Sequence, residues 1–104
     1  MALYLTAKFH VHPHKTQEFG PIGRRVCDII VKRAGWRLLA ALSPVTGRLN
    51  ECVHLWQIPD ANALAALPGL LKPEDYEAAG QFAECVSGED YQILSALEYH
   101  PQLG

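Results

Sequence analysis

The stretch Leu49-Asn50-Glu51-Cys52-Val53-His54-Leu55-Trp56 decides the fold, because it predicts an apolar β-strand that carries a histidine two residues before a tryptophan. Side chains alternate between the two faces of a strand, so the imidazole of His54 and the indole of Trp56 point the same way. Two such rings on a half-buried surface predict a wall against which something else packs.

Two patterns before this strand predict further elements. Residues 2–12 alternate apolar and polar side chains up to Pro13, which predicts a first strand. Residues 15–34 space their apolar side chains by three to four, which predicts a helix that ends at Gly35 and is kinked or divided at Gly20-Pro21. Residues 36–42 predict a second strand, joined to the strand at 49–58 by a hairpin connection.

The second half of the chain predicts helices and a last strand. Pro59-Asp60 opens a short helix that Pro68-Gly69 breaks. A further helix starts near residues 73–75 and ends near Ser87-Gly88, and its predicted inward side chains are Tyr76, Ala79, Phe82, Ala83 and Val86. Residues 92–99 predict the last strand. The order strand, helix, strand, strand, helix, strand predicts an α+β fold, a ferredoxin-like sandwich with helices on one face of an antiparallel sheet.

The face of this sheet that the helices leave open is not fully polar. The predicted last strand carries Ile93 and Leu97 on one side and Leu94 and Ala96 on the other. We therefore expect the open face to meet a second copy of the chain, so that two sheets close into a barrel and form a homodimer.

Composition limits the classes of function. We expect the 104 residues to form a single domain, 1–104, because the chain is long enough for one core. The formal charge of -2 and the lack of a dense basic cluster argue against nucleic acid as a partner, and no apolar run is long enough to predict a membrane span. Three cysteines without paired spacing predict small buried side chains. With no export signal apparent, we expect a cytoplasmic protein.

Three stretches of the chain resemble the NIPSNAP family of the dimeric α+β barrel superfamily. Residues 4–15 are similar to the family's opening strand and turn, residues 50–56 to its strand with His-Leu-Trp, and residues 93–101 to its closing strand. The chain departs from the family's pattern at Leu5 and Ala7, where a Glu and an Arg are usual. It also departs at His14, where glycine is usual, and at Ile58, where an aromatic residue is common.

The resemblance implies a dimeric barrel but no particular reaction. Relatives in the wider superfamily include cofactor-free monooxygenases, haem-handling enzymes, dehydratases and isomerases. The missing charged pair at Leu5 and Ala7 puts in doubt any chemistry that depends on it.

His54 is the first candidate for a catalytic residue. In the expected topology the first and third strands are neighbours, so His54 would approach the first strand, with His10 and Tyr4 as possible polar partners. Burial would keep the imidazole neutral and able to act as a general base or to orient a ligand. The alternative interpretation is a core histidine that satisfies its hydrogen bonds while it packs on Trp56.

Four further side chains are candidates for ligand binding. Trp56 could line an apolar cavity, although large aromatic rings usually fill a core or an interface. Tyr4 and Tyr99 offer phenolic hydroxyls to a bound oxygen or to water. Arg37 could pair with a carboxylate ligand, but a solvent-facing charge at a sheet edge is the simpler interpretation.

His10, His12 and His14 form the pattern His-x-His-Pro-His. Two histidines at a spacing of two on a strand can share a metal ion. A fourth ligand is not apparent, and we interpret the three as polar side chains at a strand end. We accordingly predict no metal and no other cofactor.

Two hypotheses of function follow. The first is a small-molecule-binding protein with a pocket lined by His10, His54, Trp56 and tyrosines, which takes a small apolar or aromatic compound. As an enzyme it would catalyse a cofactor-independent acid–base or oxygenation step. The second is a non-enzymatic dimeric module for interaction or structure.

Overall fold

The computed structural model describes residues 2–101 as a four-stranded antiparallel sheet with helices on one face. The elements are β1 Leu3–Val11, α1 Thr16–Ala34, β2 Arg37–Leu42, β3 Glu51–Ile58, α2 Ala63–Leu70, α3 Tyr76–Cys85 and β4 Val86–Ser95. The spatial order of the strands is β2-β3-β1-β4. The predicted ferredoxin-like α+β fold is confirmed.

α1 is one helix from Thr16 to Ala34, and Pro21 lies inside it without dividing it. The helix ends as predicted at Gly35, which adopts the left-handed conformation with φ 70°. The backbone N–H of Gly35 donates to the carbonyl of Val31 at 3.0 Å, and glycine suits this position because it has no Cβ.

The prediction for the last strand is wrong in its bounds. α3 ends at Cys85 and β4 begins directly at Val86, not at residue 92. The first half of β4 is a mostly polar edge strand with a single large apolar side chain before Tyr91, so it lacks the alternation by which a strand is recognised. Its pairing with β1 nevertheless starts at Val86, opposite Val11.

Two details of the helices also differ from the prediction. Pro68 lies inside α2, which continues to Leu70. Tyr76 and Ala83 were expected to point inward, but Tyr76, at the start of α3, is 58% exposed, and Ala83 is exposed as well. The side chains of α3 that are buried are Ala78, Phe82 and Cys85.

The side chains of β1 alternate between the two faces of the sheet. Leu5, Ala7 and Phe9 are buried under the helices, whereas Thr6 and Lys8 lie on the open face. The pairing with β3 and β4 transmits this alternation, because residues directly opposite each other share a face. β1 therefore decides which side chains of its two neighbours reach the helices.

The core between sheet and helices has two groups of buried residues. In one, the rings of Trp36 and Trp56 meet edge to face at 5.6 Å. In the other, Phe9 meets Phe82 of α3 at 4.9 Å, also edge to face. Each buried aromatic ring removes about 150–250 Å² from water, worth about 4–6 kcal/mol before entropy is counted.

An ion pair attaches the end of α1 to the turn before α3. Nε of Arg33 donates to the carboxylate of Asp75 at 2.9 Å, and the backbone N–H of Lys72 donates to the same carboxylate at 2.9 Å. The hydrogen bond from Arg33 holds the pKa of Asp75 below its ordinary value of 3.8. The contact positions α3, which covers the centre of the sheet.

Among residues 2–101, no helix combines the length and the apolarity that crossing a bilayer requires.

Candidate functional site

A cavity of about 150 Å³ lies between the sheet and the helices, directly above the middle of β1. At this level Ala7 pairs with His54 of β3 on one side and with Tyr91 of β4 on the other. The short side chain of Ala7 leaves space there, since its neighbours on the same face, Leu5 and Phe9, are large. The roof is formed by side chains of all three helices, including Cys27, Leu67 and Phe82.

A second, more open cleft of about 410 Å³ adjoins this cavity, between α1 and the ends of β2 and β3. Cys27 and His54 line both spaces. The imidazole therefore lies where the mostly apolar cavity adjoins the more open cleft.

His54 is only 7% exposed, yet it is incompletely hydrogen-bonded. Among residues 2–101 its one side-chain partner is Sγ of Cys27, 3.8 Å from Nδ1. No fully buried side-chain nitrogen or oxygen in this part of the chain lacks a partner. Nε2 has no protein partner and must therefore touch space that water can reach, which at this position is the cavity or the cleft.

The imidazole of His54 contacts the thiol of Cys27 through Nδ1. Burial raises the pKa of Cys27 to about 11, so the sulfur keeps its proton at neutral pH. Burial also lowers the pKa of His54 below 6.5, so the imidazole is neutral. A thiol that donates to Nδ1 puts the ring proton on Nε2, whereas Nδ1–H donating to the sulfur leaves Nε2 as an acceptor. In both tautomers Nε2 is a polar nitrogen that can form a hydrogen bond with a ligand.

Solved structures with the same arrangement identify the fold. A NIPSNAP family protein from Agrobacterium tumefaciens matches with a TM-score of 0.82 at 17% identity, over 97% of this chain and 98% of that chain. An uncharacterised NIPSNAP-like domain protein from Burkholderia xenovorans matches with a TM-score of 0.80 at 23% identity, over 99% and 91%. This chain has the NIPSNAP fold.

The NIPSNAP fold is also similar to that of an enzyme. SnoaB, a cofactor-independent oxygenase from Streptomyces nogalater, matches with a TM-score of 0.72 at 19% identity, over 97% of this chain and 98% of that chain. No model of a protein family and no curated protein matches the sequence. At these identities the likeness shows the fold alone.

In the NIPSNAP fold, the side chains that the sequence suggested as one site lie on two different faces of the sheet. His54 and Trp56 lie on the helix-covered face, and Trp56 is 2% exposed at the wall of the cavity. Tyr4, His10 and Arg37 lie on the open face, because each is out of phase with the residues that point to the helices. The structure thus does not bring His10 or Tyr4 to His54.

Tyr4 and Arg37 meet in a different place. They line an open groove of about 360 Å³ between the open face and the segment that follows β4. Oη of Tyr4 lies 3.0 Å from Nε2 of His100 in that segment. Tyr99 is 79% exposed and lies beyond the end of β4, in neither the cavity nor the groove.

The three histidines of the His-x-His-Pro-His pattern are not arranged as a metal site. His10 lies on the open face, 3.5 Å from the carboxylate of Asp90. His12 and His14 are past the strand, with ring centres 5.4 Å apart. Within residues 2–101, no three histidine, cysteine or acidic side chains lie close enough to hold one ion.

Sequence reasoning did not assign most of the residues that line the cavity, among them Ala7, Cys27, Glu89 and Tyr91. The signal for Ala7 was available as the smallest side chain on the apolar face of the first strand. Cys27 fits the apolar face of α1 and gives no sign that it contacts His54. Glu89 and Tyr91 fell outside the predicted last strand.

The buried imidazole predicts a pH dependence of stability. The unfolded state takes up a proton on His54 near pH 6.5, whereas the folded state resists it, so the free energy of unfolding should fall as pH falls from about 7.5 to 5. The effect is limited to about 1.4 kcal/mol per pH unit. His54→Gln should weaken this dependence in urea denaturation at several pH values. His14→Gln, at an exposed position, is the matched control. An unchanged pH slope in His54→Gln would contradict the assignment.

Proposed function

We propose that this protein binds a small apolar or aromatic molecule in the cavity above Ala7, and that it belongs to the NIPSNAP family. The observation that carries the binding proposal is Nε2 of His54, a nearly buried polar nitrogen without a protein partner among residues 2–101, beside a mostly apolar cavity. Ligand sites are typically concave, mostly apolar and furnished with a few polar groups. Family membership is supported by the shared fold and by the three similar stretches of sequence.

The walls of the cavity favour an aromatic ligand. Phe9 meets the ring of His54 at 5.0 Å and that of Phe82 at 4.9 Å, both edge to face. A ligand ring above Ala7 would extend this cluster, and each well-oriented aromatic pair is worth about 0.5–1.5 kcal/mol beyond burial. An oxygen atom on the ligand would form a hydrogen bond with Nε2.

His54 has the role of orienting the ligand in this proposal. With the proton on Nε2 it donates to a ligand oxygen, and in the other tautomer Nε2 accepts from a ligand hydroxyl. An acid–base or oxygenation step without a cofactor is the enzymatic form of the proposal. Its support is the fold shared with a cofactor-independent oxygenase and the mostly apolar lining of the cavity.

Filling the cavity tests this proposal. In Ala7→Leu the larger side chain occupies the space above β1, so we expect toluene to bind the natural protein and to bind the variant at least tenfold more weakly in isothermal titration calorimetry. Overpacking of a core costs about 1–3 kcal/mol, and the empty space should reduce that cost. Ala83→Leu, exposed on α3, is the control and should bind toluene normally. Equal binding by Ala7→Leu would contradict the location.

The open face of the sheet supports a second proposal, that two chains form a homodimer. Val53 and Leu55 are half-buried there without a covering layer, and Leu94 is 37% exposed. The same face carries charges of both signs, as in the pair of Lys8 and Glu51. A two-fold axis sets a patch against its own copy, so a face with both signs can be self-complementary.

The dimer is tested by light scattering coupled to size-exclusion chromatography. We expect the mass of two chains at micromolar concentration. Leu55→Asp should give the mass of one chain, because it places an uncompensated carboxylate in the interface. Val45→Asp, at a 91% exposed position between β2 and β3, should remain a dimer. A natural protein that elutes with the mass of one chain would contradict the proposal.

A further inference from the structure

The cavity has a second polar group on the side opposite His54. Tyr91 of β4 pairs with Ala7 of β1 on the side away from His54. The hydroxyl of Tyr91 donates to the carboxylate of Glu89 at 2.8 Å. Both side chains line the cavity. Tyr91 is 44% exposed, so this pair forms the outer wall of the cavity near solvent.

The charge of the lining excludes one class of ligand. Among the described residues that line the cavity, Glu89 is the one that is charged at neutral pH, since burial keeps His54 uncharged. No lysine or arginine of this part of the chain lines it. A ligand carboxylate would thus meet a carboxylate at one end and find no counter-ion at the other. At the outer end the two like charges would repel each other, and at the buried end the ligand carboxylate would be desolvated without a counter-ion.

The size of the cavity limits the ligand to about one ring. A cavity near 150 Å³ with apolar walls holds benzene in a well-studied engineered protein. His54 and Tyr91 are separated by two strand spacings, or about 10 Å between their backbones. A single ring over Ala7 lies between these two strands, so oxygen substituents at opposite positions of the ring would point toward His54 on one side and toward Glu89 and Tyr91 on the other.

We propose that the cavity selects uncharged, single-ring phenols that carry a second oxygen opposite the hydroxyl. The ring lies over Ala7, the second oxygen accepts from Nε2–H of His54, and the phenolic hydroxyl donates to the carboxylate of Glu89. Tyr91 holds that carboxylate in place with its own hydroxyl, which leaves the other carboxylate oxygen to accept from the ligand. This inference rests on the proposed function, since it names the ligand class of the same cavity.

Four matched probes test the selection by calorimetry on the natural protein. They are 4-methoxyphenol, 4-methylanisole, which lacks the hydroxyl, 4-methoxybenzoate, in which a carboxylate replaces it, and toluene. We expect 4-methoxyphenol to bind at least tenfold tighter than 4-methylanisole, and 4-methoxybenzoate to show no saturable binding. Equal affinity for 4-methoxyphenol and 4-methylanisole, or tight binding of the benzoate, would overturn the inference while the proposed function stands. Failure of all three uncharged probes would overturn both.

A substitution of Glu89 tests whether this residue causes the preference for phenols. Glu89→Ala should weaken the binding of 4-methoxyphenol about tenfold, as expected for loss of a hydrogen bond to a charged group. The affinity for 4-methylanisole should not change. Glu84→Ala, exposed on α3, is the control and should bind both probes normally. An unchanged preference in Glu89→Ala would overturn the assignment. The comparison of probes on the natural protein remains decisive if the variant fails to fold.

Discussion

The pairing of β1 along both of its edges is the constraint on which the rest of the structure depends. Because β3 and β4 take their register from β1, each β1 residue fixes which side chains of its neighbours stand under the helices. Ala7 occupies the centre of this arrangement, with His54 and Tyr91 on either side. An unfilled space of about 150 Å³ costs on the order of 3–4 kcal/mol of stability, and a bound ligand would recover part of it.

The site combines an apolar chamber with few polar groups, and the neighbours of each group set its role. The thiol of Cys27 contacts Nδ1 of His54, and Nε2 has no partner among residues 2–101. The carboxylate of Glu89 is held by the hydroxyl of Tyr91. The ion pair of Arg33 and Asp75 lies outside the cavity and fixes the helix that covers it. Ligand binding depends on apolar packing in the cavity, and selectivity depends on two hydrogen-bonding groups, the imidazole of His54 and the carboxylate of Glu89.

Local patterns in the sequence predict most of the fold but only part of the site. The alternation of β1 and β3 and the stop at Gly35 are local signals, and they were sufficient. The first half of β4 carries no such signal, because its strand conformation comes from pairing with β1 some eighty residues away in sequence. The contact of Cys27 with His54 is also long-range. The sequence suggested that His10 and His54 lie together, and strand alternation instead puts them on opposite faces.

The most direct test of the central claim is diffraction from crystals of the protein pressurised with xenon. Xenon enters dry apolar cavities and gives a strong anomalous signal. We expect an anomalous xenon peak above Ala7, between His54 and Tyr91, and we expect it to disappear in Ala7→Leu. A well-ordered structure without xenon at this position, or with the space filled by rearranged side chains, would contradict the claim that β1 holds open a ligand cavity.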